Sequence, residues 1–410
     1  MAKNVLEFKL KFSEKETITP YAGLALYEEM YKSLRMDQEV ERLFSAPGSG
    51  RGYKANEYIE PLILMFIGGG KYMEDVRKID VDEGLKQICK IGKVPSSDAL
   101  RAWLARETVK KITGLKILND NLNRRLLKKA KDTEFTLDID ATGIVGEKLL
   151  AAYTYEGDKG YMPILGFVPE LDICIGYEFR EGNVSPSTRN CEFARGIIEF
   201  VDSTGKAIKF FRSDSAAYNS EVFNYLNGRG VRYGITVDKD SAVKEVIEMI
   251  KDWKVLKDKD GRATGREYAE SVHSMNRTDH SFRIVVQRWP NPDQDLFEKR
   301  NEYCYHGIAA NFSIEEKSSE EIISWHNGRS NSENYNKEVK LGFNLEYMPS
   351  GNFAANAVWF GIGILAYNLF IASKIFLFPK EWAKKTIRTI RWQFIQIAGR
   401  IIKHAHELIL

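Results

Sequence analysis

The sequence predicts a mixed α/β protein: one mixed sheet flanked by helices, with a helical N-terminal region and a β-rich insertion. Three observations predict it. Apolar residues recur at helical spacing through the first 130 residues. From Asp132 the texture changes to strands, then alternates helix, strand, helix, strand, which is the order of a mixed sheet. A second β-rich stretch follows, and helical periodicity resumes at Ser318. A chain of 410 residues suits two or three domains at about 150 residues each and can bury a large core.

The elements follow in order. YAGLALYEEMYKSL (21–34) has helical apolar spacing, and the turn-rich APGSGRG (46–52) ends that pattern. Gly68-Gly69-Gly70-Lys71 is not a phosphate loop, because the spacing and the following Ser/Thr are missing. VPSSDALRAWLARE (94–107) reads as a helix start with Ser96 or Ser97 as N-cap, leading into one basic helix with Arg101, Arg106, Lys110 and Lys111. A short helix, a turn and a basic helix suit a DNA-binding module. FTLDIDATGIVG (135–146) alternates as a strand, and 161–183 reads as further strands. NCEFARGIIEFVDS (190–203) is an amphipathic helix, AIKFFRSDSAAYN (207–219) a strand ending in a polar turn, SEVFNYLNGRG (220–230) a helix and VRYGITVDKD (231–240) a strand. DKDGRATG, SFRIVVQRWP and NEYCYHGIAANF make 250–312 β-rich, and from Ser318 the chain is expected to be helical to its end.

Charge is uneven. The net of +3 hides 10 basic against 2 acidic residues in 101–131 and 7 against 2 in 379–410. The centre, 132–378, holds 28 basic and 37 acidic residues, and 1–100 holds 15 and 16. Basic segments can neutralise a polyanion, and an acidic centre can hold metal-binding carboxylates. The four cysteines form no C-x-x-C pair, which argues against a zinc knuckle or redox motif. MAKNVLEFKLKF has no apolar leader, so a reducing, cytoplasmic setting is expected. The apolar run 354–378 approaches a bilayer span, but Asn356, Asn368 and Lys374 interrupt it, and a buried core helix is expected instead.

Three carboxylates stand out by position. Asp140 ends a strand in LDIDAT, Asp214 follows a strand in RSDSAAYN, and Glu333 lies in the helical WHNGRSNSENYNKEVK. Carboxylates gathered at strand ends beside a helix can hold two divalent cations about 3.5–4 Å apart for in-line displacement at a phosphodiester. If the last segment is one helix, Arg329 and Lys340 project with Glu333 and can grip phosphate. Asp138 is the fallback for Asp140, since only one of the two is expected to face the site.

The string R-x-x-x-E-x-x-x-x-x-x-K, with D-x-T at Asp140 and the Asp214 motif, resembles bacterial insertion-sequence transposases of the group 1 DDE domain, the thirteen-eighty insertion-sequence family. VPSSDALRAWL and CYHGIAANF also resemble that group. The resemblance implies an RNase H-like catalytic domain over 132–239 and 313–378, an insertion over 240–312, a helical DNA-binding region over 1–131 and a basic helical C-terminal segment over 379–410. It implies that Asp140, Asp214 and Glu333 ligate two Mg²⁺ or Mn²⁺ ions. It implies that Arg329 and Lys340 contact phosphates, with His326 in the place of the signature tyrosine and Trp289 as the insertion aromatic that stacks on a flipped base. Double-stranded DNA, both transposon ends and target, is the implied partner, with a homodimer on the DNA and no membrane. Two rivals share the sequence: a catalytically inactive transposase-derived DNA-binding protein, and a nucleotide-sugar transferase using the D-x-D of Asp138 and Asp140.

Overall fold

The computed structural model describes residues 16–48, 50–146, 148, 150–258, 260–292, 302–404 and 407–410. The N-terminal stretch read above for a leader lies outside the described residues. In chain order the elements are β1 (Thr17–Thr19), α1 (Leu24–Ser33), α2 (Met36–Leu43), α3 (Ala55–Gly68), α4 (Arg77–Asp80), α5 (Glu83–Cys89), α6 (Ser97–Leu104) and α7 (Thr108–Lys129). Then come β2 (Glu134–Ala141), β3 (Ile144–Val145), β4 (Ala152–Tyr153), β5 (Lys159–Tyr161), β6 (Ile164–Val168), β7 (Ile173–Glu178), α8 (Asn190–Asp202), β8 (Ala207–Ser213), α9 (Ser220–Gly228) and β9 (Arg232–Thr236). The chain continues through α10 (Ser241–Met249), β10 (Lys254–Lys257), β11 (Ala263–His273), β12 (Phe282–Pro290), β13 (Tyr303–Ala310), α11 (Ser319–Asn327) and α12 (Ser330–Lys337). It ends with α13 (Phe353–Phe376), α14 (Ile387–Ile390), β14 (Gly399–His404) and β15 (Glu407–Ile409).

The chain divides into two compact units: Met1–Leu118 with Gly342–Pro349 and Ala354–Leu410, and Asn119–Leu341 with Ser350–Phe353. The division differs from the expected domains. The run 354–378 belongs with the N-terminal helices rather than with the sheet of the second unit. Its helix α13 is mostly apolar, with Asn356 and Asn368 buried among the apolar side chains, and 94% of its most apolar window is buried. The C-terminal segment is not wholly helical as expected: β14 and β15 form an antiparallel hairpin whose β14 also pairs with β1. The apolar runs Ile401-Ile402 and Leu408-Ile409-Leu410 are too short to show either period. Ser96 caps α6 by accepting from the Ala99 amide at 3.2 Å, as its sequence predicts.

The second unit is built on a nine-stranded sheet in the order β10-β11-β12-β13-β9-β8-β2-β6-β7. Strands β2, β8 and β9 are parallel neighbours, while β6 and β7 run antiparallel on one side. Helix α8 joins β7 to β8 and α9 joins β8 to β9, the crossovers that parallel pairing requires. This is the mixed sheet flanked by helices expected of an RNase H-like fold. The insertion is not a separate body: β13 pairs with β9, and β12, β11 and β10 extend the same sheet antiparallel. Val285, Ile308 and Ala310 on that extension pack with Ile322 and Ile323 of α11 and with Phe312.

Candidate active site

Strand β2 is covered on both faces, so its run Phe135–Ile139 is buried throughout while Asp140 reaches partial exposure. Parallel pairing with β8 sets Asp138 beside Arg212 and Ile139 beside Ser213. One step further, the two strands deliver Asp140 and Asp214 at adjacent carboxyl ends, the edge where open α/β sheets place their ligands. Asp214 then caps the tight turn Ser215–Ala217, its Oδ1 accepting from the Ala216 amide at 3.0 Å and from the Ser213 hydroxyl at 3.4 Å.

Asp138 and Asp140 share a face, as residues i and i+2 of a strand must. The two therefore do not point to opposite sides of the strand; depth, not face, leaves only Asp140 at the site. Asp138 has no exposed surface and is gripped by the Arg212 fork, Nε to Oδ1 and Nη2 to Oδ2, both 2.7 Å. The third arm of Arg212 donates to the Trp325 carbonyl at 2.7 Å, which ties the end of α11 to β8. A Cβ at Gly328 would stand 2.6 Å from Arg212 Nη1 and 3.0 Å from the Trp325 carbonyl oxygen, so a side chain there would disturb the fork. Both carboxylate oxygens of Asp138 are spent on one guanidinium, so a D-x-D pair facing a nucleotide sugar is not formed.

Asp140 meets α12 and its N-terminal flank. Asn336 Nδ2 donates to Asp140 Oδ2 at 2.6 Å, and Arg329 Nη1 stands 3.7 Å from Oδ1. Burial raises the Asp140 carboxyl to about 7, helped by repulsion from Asp214, Glu333 and Asp138 and opposed by Arg329. Glu333 is exposed in the first turn of α12, three residues before Asn336, so both lie on the face turned toward Asp140. Tyr335 anchors the helix by donating to Asp172 at 2.8 Å and stacking on Phe167 at 5.0 Å. The segment is not the single helix expected. α11 stops at Asn327, α12 starts at Ser330, and a π turn follows over Glu338–Gly342, where Lys340 Nζ donates to the Gly143 carbonyl at 2.6 Å.

Three hard carboxylates suit Mg²⁺ or Mn²⁺ by donor chemistry. Burial first, and repulsion from the neighbouring carboxylates second, raise the Asp140 carboxyl, and a bound cation would offset both. Among the described residues, however, no three His, Cys, Asp or Glu side chains are gathered closely enough to hold an ion. The coupling between Asp140, Asp214 and Glu333 is electrostatic rather than a closed cage.

Other expected contacts fall elsewhere. His326 is buried, not presented to a phosphate: Nδ1 lies 3.1 Å from the Gly234 carbonyl and Nε2 3.1 Å from Thr236 Oγ1. A carbonyl only accepts, so Nδ1 carries the proton and Nε2 accepts from the threonine. Burial, with His306, Arg329 and Arg212 nearby, lowers the ring to about 3. Trp289 sits half-buried on β12 with the Arg266 guanidinium 4.5 Å over its ring. Arg101, Arg106, Lys110 and Lys111 lie in the first unit and do not share one helix, because the chain breaks between α6 and α7, where Glu107 adopts φ 46°. Arg101 is exposed near Glu74 and Asp98, Lys110 donates to Ser45 Oγ at 2.6 Å, and Lys111 is buried. Two residues were missed. Arg212 is an unusual charge inside the apolar strand FFRSD, and Asn336 follows Arg329 by seven, the spacing of one helical stripe.

A family model described as transposase DDE domain group 1 matches residues 7–410. No curated relative matches the chain. The cryo-EM structure of the piggyBac transposase synaptic complex with hairpin DNA is similar at a TM-score of 0.47 and 10% identity, over 91% of this chain and 80% of that one.

Proposed function

The chain belongs to the transposase DDE domain group 1 family, and on that premise we propose that it is a DNA transposase which binds inverted repeats at transposon ends and moves them by a cut-and-paste route. The observation that carries the proposal is the delivery of Asp140 and Asp214 by adjacent parallel strands, with Glu333 electrostatically coupled to the same carboxyl. Bound divalent cations would activate the attacking water or 3′-hydroxyl and stabilise the leaving oxygen. Asp140, Asp214 and Glu333 are the residues that would hold them. Asn336 orients Asp140, and Arg212 fixes Asp138 so that the strand end presents one reactive carboxylate. Arg329 and Lys340, each resting on a local oxygen, would exchange those partners for phosphate oxygens. The basic segment 101–131 would supply sequence-independent attraction to the duplex, and a homodimer would bring two ends together.

The test is incubation of the protein with Mg²⁺ and DNA carrying the inverted repeats that flank its gene. End-specific nicking and strand joining are expected. Tight end binding without cleavage in Mg²⁺ or Mn²⁺ would favour the inactive, DNA-binding reading.

A further inference from the structure

The first unit contains a cavity of about 360 Å³ between residues 44–48, residues 52–58 and the α6–α7 junction. That is at the lower end of ligand pockets, roughly 300–1,000 Å³. Its walls combine two chemistries. Tyr58 and Trp103 stack at 4.8 Å and 11°, and the half-buried Tyr53 meets Tyr58 edge-on at 5.5 Å. Exposed Arg106 and Lys110 line it as cations, with Glu107 the one carboxylate. Lys111 closes the inner wall: 5% exposed, its amine lies 4.7 Å over the Trp103 ring and donates to the Arg106 carbonyl. Burial lowers that amine to about 8, so it still carries its proton at neutral pH and adds to the positive lining.

Aromatic rings beside cations are the combination that holds an unstacked base and its phosphate. The volume admits one nucleotide and not a duplex. Three of the cations that the sequence assigned to a DNA-binding module, Arg106, Lys110 and Lys111, are thus gathered around a pocket whose aromatic wall a phosphate-only contact would not need. We propose that this cavity binds a single unpaired nucleotide, its base against Tyr53, which the buried Tyr58–Trp103 pair backs, and its phosphate on Arg106 and Lys110. The nucleotide could come from DNA or from solution. A DNA source rests on the transposase reading, which the cleavage assay tests separately in the same preparation.

The experiment titrates the full chain with a duplex bearing one bulged nucleotide, the same duplex fully paired, adenosine monophosphate and inorganic phosphate. The bulged duplex is expected to bind about tenfold tighter than the paired one. Tyr53→Ala should abolish the preference while leaving the melting temperature within a few degrees, and Arg106→Gln with Lys110→Gln should do the same. Binding of the monophosphate without a bulge preference supports the site with a free nucleotide as its source. Equal binding of both duplexes with no monophosphate binding overturns the proposal. So does inorganic phosphate competing as well as the monophosphate, or a Tyr53→Ala protein that keeps the preference. Loss of cleavage with the preference intact would count against the transposase reading and leave this site standing.

Discussion

At the residue scale, two aspartates two positions apart have opposite fates because one neighbour differs. Asp138 faces the Arg212 fork and is spent on it, while Asp140 faces an amide and other carboxylates and keeps its chemistry. The raised Asp140 carboxyl has a signed consequence. Below about pH 4 it is protonated in both folded and unfolded chains and contributes nothing. Between about 4 and 7 the unfolded chain ionises first, so folded stability falls as pH rises, and above 7 the whole cost is present. Asp140→Asn should therefore stabilise metal-free protein at pH 8 by about 2–4 kcal/mol and make no difference near pH 4, read by denaturant melts. His326 has the opposite sign of slope. Its folded ring is lowered to about 3, so the unfolded chain takes up a proton first as pH falls below about 6.5, and stability drops by about 1.4 kcal/mol per pH unit. His326→Gln should flatten that slope; an unchanged acid limb would place the titration elsewhere. The sequence made Asp140, Asp214 and Glu333 legible because strand ends and helical spacing are local patterns. It could not show the Arg212–Asp138 pair or the burial of His326, since both depend on which strand lies beside which.

At the element scale, the site depends on where α11 ends. The Trp325 carbonyl is held by Arg212, Gly328 lets the guanidinium through, and Arg329 emerges beside Asp140. Gly234 on β9 supports the same helix end: a Cβ there would stand 2.7 Å from the Trp325 ring and 3.4 Å from His326 Nδ1. Gly234→Ala should push α11 off the sheet, cost about 1–3 kcal/mol and lower the cleavage rate more than end binding. Retained cleavage in a melted-down protein would show that α11 does not position Arg329. Elsewhere α5 ends on Lys90 at φ 57°, a conformation that favours glycine. Lys90→Gly should add about 1 kcal/mol of stability, measured by thermal melting. The break between α6 and α7 and the π turn at Lys340 were not legible from spacing, because a helical stripe continues through a short interruption without changing its residues.

At the scale of the whole molecule, the near-neutral sum conceals a division of labour. The acidic centre carries the nine-stranded mixed sheet, and an insertion lengthens that sheet by four strands instead of forming a domain of its own. The basic stretch 101–131 begins in the first unit and crosses into the second along α7. End binding that uses these cations should weaken by at least about tenfold between 50 and 200 mM salt, as counterion release requires for several phosphate contacts. The late apolar helix was expected to be buried and is, yet its assignment to the first unit was invisible because a mostly apolar helix names no partner. The central claim is that Asp140, Asp214 and Glu333 act as one metal-dependent centre. The most direct measurement is Mg²⁺- or Mn²⁺-dependent cleavage of inverted-repeat DNA by Asp140→Asn, Asp214→Asn and Glu333→Gln proteins that remain folded and bind the ends. Each variant should lose at least about a hundredfold in cleavage rate, with equal losses for single and combined variants. Robust end cleavage by any one of the three would contradict the account.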